Sequence, residues 1–199
     1  MGLSNRVISE CREYSRKMVP RDLHHGFDHI LRVRGYALTI GKREDADLRV
    51  VEISSYLHDV GRGHEVEGEY HTVTSVRLAR QFLSRFKISK EEIEKVTNAI
   101  ECHSRKKAYR KKPRTLETEV IYDADGLDMI GAVGMLRMGY SAVLKGRGWD
   151  HVLKKARWRL QILNDFLTET GRMMAKRREK LVKDFIHQLL QELDENVTT

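Results

Sequence analysis

Apolar residues recur at helical spacing through almost the whole chain, and only two prolines, Pro20 and Pro113, interrupt the pattern. Val33, Ala37 and Ile40 make one stripe, with Tyr36 beside it, and Val76, Ala79, Leu83 and Phe86 make a second. Residues three and four apart share one face of an α-helix, so each set predicts a helix with one buried side. Ser89-Lys90-Glu91-Glu92 carries the hydroxyl and carboxylate of a capping box and opens a helix that buries Ile93, Val96 and Ile100. Leu160, Leu163 and Leu167 predict a further amphipathic helix, and Leu181, Phe185, Leu189 and Leu193 another. No segment alternates with the period of two that a half-buried strand needs, so the fold class is all-α. Both prolines mark breaks between helices, because proline has no N–H to give the helix.

At 199 residues the chain is long enough for one well-filled domain, and no boundary divides it. A helical core is expected over about residues 20–140, with residues 147–199 packed on it as a helical extension. No apolar run approaches the ~20 residues needed to cross a bilayer. The opening residues Met1 to Arg6 lack the apolar stretch of a secretion signal. Cys11 and Cys102 have no spacing that suggests a disulfide framework or a zinc ribbon. Together these predict a cytoplasmic protein without a membrane partner. The net charge of +8 suits anionic partners such as phosphate esters, nucleotides and nucleic acids, and it equally suits a solvated surface. Residues 61–68, rich in glycine and charge, and the strongly basic residues 104–114 are expected to be loops.

The densest chemical signal is Leu57-His58-Asp59-Val60-Gly61. Adjacent histidine and aspartate can each reach one ion where they end a helix and the following glycine turns the chain. His29 shares a helical face with Val33 and Tyr36, and His103 follows Ile93, Val96 and Ile100 at helical spacing. Asp125 falls one turn after Ile121 and one turn before Met129. A lone inward histidine is usually a hydrogen-bonded core residue, and a lone aspartate usually a helix cap. Several of them directed inward from separate helices are costly to bury unless they share a partner, and a metal ion is the economical one.

These segments resemble the HD-domain superfamily of metal-dependent phosphohydrolases, whose signature runs His, His-Asp, Asp on successive helices. The matching text is His25-Gly26-Phe27-Asp28-His29, then His58-Asp59-Val60-Gly61-Arg62, then Asp123-Ala124-Asp125-Gly126-Leu127-Asp128. The resemblance covers about residues 20–140 and implies an all-α helical bundle with the metal between helices. It implies that His29, His58, Asp59 and Asp125 hold the ion. It also implies that Asp59, Arg62, His71 and His103 serve catalysis, with Arg62 on the substrate phosphate. Some branches bind a second ion, for which His71 and His103 occupy suitable stretches; otherwise these two bind phosphate or assist proton transfer. Asp128 or Asp123 would orient ligands. Relatives carry a basic residue directly after the last aspartate, where this chain has Gly126.

Histidine and carboxylate donors without cysteine suit Mn²⁺, Fe²⁺, Co²⁺, Ni²⁺, Mg²⁺ or Zn²⁺. The expected reaction is hydrolysis of a nucleotide or related phosphate ester by an activated water. Two other classes stay open: an oxygenase using two irons, and a metal-containing protein that binds nucleotide or RNA with little turnover. Basic residues 105–112 begin directly after His103 and are expected near the pocket mouth, drawing in polyphosphates. Lys154-Lys155-Ala156-Arg157 and Lys176-Arg177-Arg178 are expected to be solvated faces. Tyr109 and Trp149 among basic residues are compatible with base stacking, but no nucleic-acid recognition motif accompanies them.

Overall fold

The protein is described here from a computed structural model, which covers residues 4–105 and 114–195. Among these residues there are nine helices and no strand. They are α1 (Asn5–Met18), α2 (Phe27–Arg43), α3 (Leu48–Leu57), α4 (His71–Leu83), α5 (Lys90–Cys102), α6 (Leu116–Met129), α7 (Gly131–Leu144), α8 (Trp149–Ile162) and α9 (Glu169–Glu195). Lys106, Lys107, Tyr109, Lys111, Lys112 and Pro113 of the basic stretch lie outside the described residues. Pro20 falls in the break between α1 and α2, as its missing N–H requires.

Helix α6 is the axis of the fold. It packs on α2, α3, α5, α7 and α9, and every residue from Val120 to Asp128 is buried. A helix buried on all sides has no polar face to give to water, so its three inner carboxylates, Asp123, Asp125 and Asp128, need partners inside the protein. Thr115 caps it, accepting from the Thr118 N–H at 3.3 Å. One apolar cluster joins α1, α3, α4 and α5 through Cys11, Val50, Ile53, Leu83, Val96 and Ile100. A second joins α2, α6, α7, α8 and α9 through Val33, Ile121, Leu127, Met138, Ile162 and Val182. The seam between them crosses α2 where Ile30 belongs to the first and Val33 to the second. His29 sits at that seam.

The predicted stripes of α2 and α5 are buried as expected, and the capping box at Ser89 is formed in both directions. Further along, the register differs. Helix α4 ends at Leu83, so Phe86 lies beyond it and packs edge-on against Phe82, with ring centroids 5.4 Å apart. Helix α8 ends at Ile162 and buries Val152, Ala156, Arg159 and Ile162, leaving Leu160 half-buried and placing Leu163 and Leu167 outside the helix. Helix α9 buries Val182 and Ile186, while Leu181 and Phe185 are 44% and 42% exposed. In α9 two apolar stripes lie one residue, or 100°, apart, and the packing on α6, α7 and α8 selects one of them. No single helix among the described residues is long and apolar enough to cross a membrane.

Candidate metal centre and its cleft

The centre is assembled from helix ends around one buried helix. Helix α3, capped by Asp47, carries seven buried residues in ten and delivers His58 and Asp59 to its C-terminal turn. Helix α2 brings His29 in its first turn. Its entry is set by Asp22, whose carboxylate accepts the His24 and His25 N–H groups, each at 2.7 Å. Helix α4 starts at His71, α5 ends at His103, and Asp125 projects from the middle of α6. His29, His58, Asp59, His71, His103 and Asp125 are all 7% exposed or less. The structure therefore brings these six residues together, whereas Asp123, expected to orient a ligand, lies elsewhere.

His29 Nε2 lies close to one donor atom of each of the other three expected ligands, and donor atoms of His29, His58 and Asp125 all lie within 4.8 Å of one another. The Nε2 atoms of His29 and His58 are 3.3 Å apart. His29 Nε2 stands 3.6 Å from both Asp59 Oδ2 and Asp125 Oδ1, and His58 Nε2 is 3.8 Å from Asp59 Oδ2. Ligands ~2.1 Å from an ion in tetrahedral array are ~3.4 Å from each other. The tautomers agree. His58 Nδ1 lies 2.8 Å from the Ser55 carbonyl and His29 Nδ1 lies 2.7 Å from Asp128 Oδ2, contacts that only an Nδ1–H can make. Both Nε2 lone pairs then face one point, which demands a positive charge there. Burial and Arg137 oppose protonation of His29, yet Asp128, Asp59 and Asp125 draw its pKa upward.

Burial pushes the His58 pKa down to about 4, so this imidazole is neutral and fit to ligate. Burial also resists ionisation of both carboxylates, but neighbouring side chains prevail. Arg62, His58 and His25 hold Asp59 well below its ordinary value, and His29, His103 and His58 hold Asp125 down to about 2. Asp59 Oδ1 is buried with no hydrogen-bond partner. An orphaned carboxylate oxygen inside a protein is costly, and a cation removes the cost. The donor set therefore fits a divalent ion.

His71 Nε2 and His103 Nε2 lie 3.5 Å and 3.7 Å from that same Oδ1, on the opposite oxygen from the first donor set. However, the Arg62 Nη2 group donates to His71 Nε2 at 3.1 Å, while its Nε donates to Asp59 Oδ2 at 2.6 Å. A guanidinium thus occupies the His71 lone pair. Gly61 is needed for a reason other than turning the chain. A Cβ there would overlap the Ser75 N–H and stand 2.6 Å from the His71 carbonyl oxygen, so glycine lets α4 approach the His58–Asp59 turn.

Around the donors, Asp128 accepts from His29 Nδ1, from Arg32 Nε at 2.7 Å and from Arg137 Nη1 at 2.6 Å. Arg137 also donates to the His24 carbonyl, tying α7 to the turn before α2. Asp123 faces away from the ion. It accepts the Leu167 and Thr168 N–H groups at 2.9 and 2.8 Å and the Thr168 hydroxyl at 2.7 Å, so it caps the entry to α9. Sequence reasoning missed Arg137 and His25. Arg137 had a signal, being the only charged residue in α7. His25 Nδ1 contacts Asp59 Oδ2 at 2.9 Å, and nothing in sequence separates it from His24.

The centre opens into a cleft of about 580 Å³. Arg62, Arg105, Arg137, Lys145, Lys155 and Arg159 line it, together with the apolar Met129, Met138 and Trp158, and Asp125 is its single acidic lining residue. Lys155 therefore turns toward the cleft, while Lys154 and Arg157 are exposed as expected. Its ammonium stands 5.1 Å from the Trp158 ring centroid.

Comparison with known proteins gives one consistent match. The profile of the HD domain matches residues 26–130. The chain is 31% identical over 175 residues to the uncharacterized protein YpgQ of Bacillus subtilis (strain 168), covering 83% of this chain and 82% of the relative. The crystal structure of B. subtilis YpgQ in complex with ADP is similar at a TM-score of 0.75 and 29% identity, covering 93% of this chain and 97% of that one. A structure described as a predicted HD superfamily hydrolase, from an uncultured Thermotogales bacterium, is similar at a TM-score of 0.67 and 28% identity, covering 95% and 92%.

Proposed function

The chain belongs to the HD domain family, and on that premise we propose that it is a metal-dependent phosphohydrolase acting on a nucleotide or related phosphate ester. The observation that carries this reading is a buried set of histidine and carboxylate donors opening directly into a cleft that six of the described lysines and arginines line. Asp125 belongs to the donor set, so the basic lining is left to face an anionic substrate. Binding of ADP by the B. subtilis relative supports a nucleotide as that anion.

In this reading His29, His58, Asp59 and Asp125 hold one divalent ion. When bound, the ion lowers the pKa of water and withdraws charge from phosphoryl oxygens. Asp128, itself held by Arg32 and Arg137, fixes the His29 tautomer so that Nε2 points at the ion. Arg62 places its guanidinium beside the donors at the cleft wall and neutralises the phosphate. Burial lowers the His71 pKa to about 2, so His71 stays neutral and accepts from Arg62, keeping that guanidinium aimed. His103, whose Nδ1 donates to the Ile100 carbonyl at 2.5 Å, presents its Nε2 toward Asp59 at the same centre.

The second donor set on Asp59 Oδ1 favours one rival, a two-ion centre of the kind an oxygenase requires. It would need Arg62 to leave His71. A phosphate-release screen of nucleotides and dinucleotide polyphosphates with Mn²⁺, Fe²⁺, Co²⁺, Ni²⁺, Mg²⁺ and Zn²⁺, paired with elemental analysis, separates the readings. One ion per chain with phosphate release is expected. Two irons per chain without phosphate release would overturn the proposal.

A further inference from the structure

Among the described residues, the four arginines that line the cleft are not equally committed to the protein. Arg62 pairs with Asp59 and His71, and Arg137 pairs with Asp128 and the His24 carbonyl. Arg159 donates to the Met129 and Lys155 carbonyls at 2.9 and 3.3 Å. Arg105 differs. Its side chain is 3% exposed, and its Nη1 donates to the Tyr122 carbonyl at 2.9 Å. Its Nε and Nη2 are buried without a hydrogen-bond partner. The nearest carboxylate oxygen paired with it, Asp165 Oδ2, is 3.7 Å from Nε and already accepts the Tyr122 hydroxyl at 2.5 Å.

The place where this guanidinium sits is built for it. Its Cζ stands 3.9 Å from the Tyr122 ring centroid, on α6. A Cβ at Gly126 would overlap Nη2 and come within 2.7 Å of Cζ, so no other residue at position 126 leaves room for it. A glycine inside a helix is destabilising relative to alanine, and here it sits directly after Asp125. The notch thus holds a positive charge against the helix that carries Asp125, at the wall of the cleft. A cation removed from water and short of partners is expensive unless an anion completes its environment. Surrounded by protein, its field also reaches the cleft with little screening.

We propose that Arg105, seated in the Gly126 notch, is an anion-binding residue of the cleft that takes a phosphate group of the substrate. The class of ligand rests on the phosphate-ester reading above. The site itself rests on the two N–H groups of Arg105 without a hydrogen-bond partner and on the notch.

The test is calorimetric titration of the full chain, loaded with Mn²⁺, with inorganic pyrophosphate, and with a thermal melt of each sample. Arg105→Gln removes the charge and keeps the bulk, and Gly126→Ala leaves the arginine in the sequence but evicts it from the notch. Each is expected to weaken pyrophosphate binding by about tenfold, the size of one lost charge-assisted hydrogen bond. The double variant is expected to bind no more weakly than either single one, since both remove the same interaction. Arg105→Lys, which retains the charge, is expected to recover most of the affinity. Wild-type affinity in either Arg105→Gln or Gly126→Ala overturns the proposal, as do losses that add in the double variant. Lower melting temperatures with unchanged affinity would assign Arg105 a packing role and also overturn it. Arg105-dependent binding in a chain that hydrolyses no phosphate ester would instead sink the functional reading and leave the anion site standing. A wild-type chain that binds no pyrophosphate removes both.

Discussion

At the scale of single residues, the three carboxylates of α6 divide the work, and substitution separates them. Asp59→Asn or His58→Ala is expected to abolish metal content by elemental analysis and turnover with it. The fold should persist, because both apolar clusters are complete without these residues. Asp125→Asn should behave likewise. Asp123→Asn should keep its ion but melt lower by roughly 2–6 °C, because a buried acceptor of three hydrogen bonds is weakened by about 1–2 kcal/mol. Asp128→Asn should fall between, with metal affinity reduced about 10–100-fold as His29 loses its orienting partner. His29 and Asp125 were legible because each adds an ionisable group to an apolar stripe, and His58-Asp59 because an adjacent pair stands at a helix end before a glycine. Arg105 was read as part of a basic loop at the pocket mouth, because nothing local in Ser104-Arg105-Lys106 distinguishes the side chain that turns inward. Its companion signal, the mid-helix glycine at 126, lies twenty-one residues away.

At the scale of elements, the centre depends on how closely α4 can lie against the turn after α3. Gly61→Ala sets a methyl against the Ser75 N–H and the His71 carbonyl, both of them backbone that cannot yield as a side chain would. The expected result is a loss of about 1–3 kcal/mol in chemical denaturation and a larger fall in kcat than in metal content, since His71 and Arg62 shift while the ion's donors on α2, α3 and α6 do not. A fall in metal content as steep as the fall in kcat would contradict this. Helix existence was legible almost throughout, and helix facing was legible where only one apolar stripe is present, as in α2 and α5. In α9 the sequence offers two stripes, and the choice between Leu181–Phe185 and Val182–Ile186 is made by neighbours that no local pattern encodes. In α8 the buried face includes Arg159, which an apolar pattern cannot anticipate because its partners are carbonyls of Met129 and Lys155.

At the scale of the whole molecule, the buried histidines make stability depend on pH. Burial lowers the pKa of His24 to about 2, of His25 and His58 to about 4, and of His71 to about 2. All four lie below the unfolded value of about 6.5, so the folded state binds fewer protons. Their contribution is fully present above about pH 6.5 and is lost as the pH falls toward their folded values. His29, raised, contributes in the opposite sense, stabilising below its unfolded pKa, but it is one against four. The metal-stripped chain should therefore melt roughly 5 °C or more lower at pH 5 than at pH 7, followed by calorimetry in a chelator. At pH 7, restoring Mn²⁺ should raise the melting temperature in proportion to the logarithm of free metal, because the donors converge only in the folded state. An unchanged melting temperature in excess metal would argue against the donor set.

The bond from Asp123 to the entry of α9 has a consequence for how the chain is made. Synthesis proceeds from the N-terminus at about 5–20 residues per second, so α2, α3, α5 and α6 all leave the ribosome before Thr168 is joined. Until then Asp123 has no cap to satisfy, and burial alone would favour its protonated form. Helix α6 therefore cannot settle fully into the interior while the residues from Leu167 onward are missing. A stalled nascent chain ending before residue 165 would carry every expected ligand of the ion and still lack a finished pocket for it.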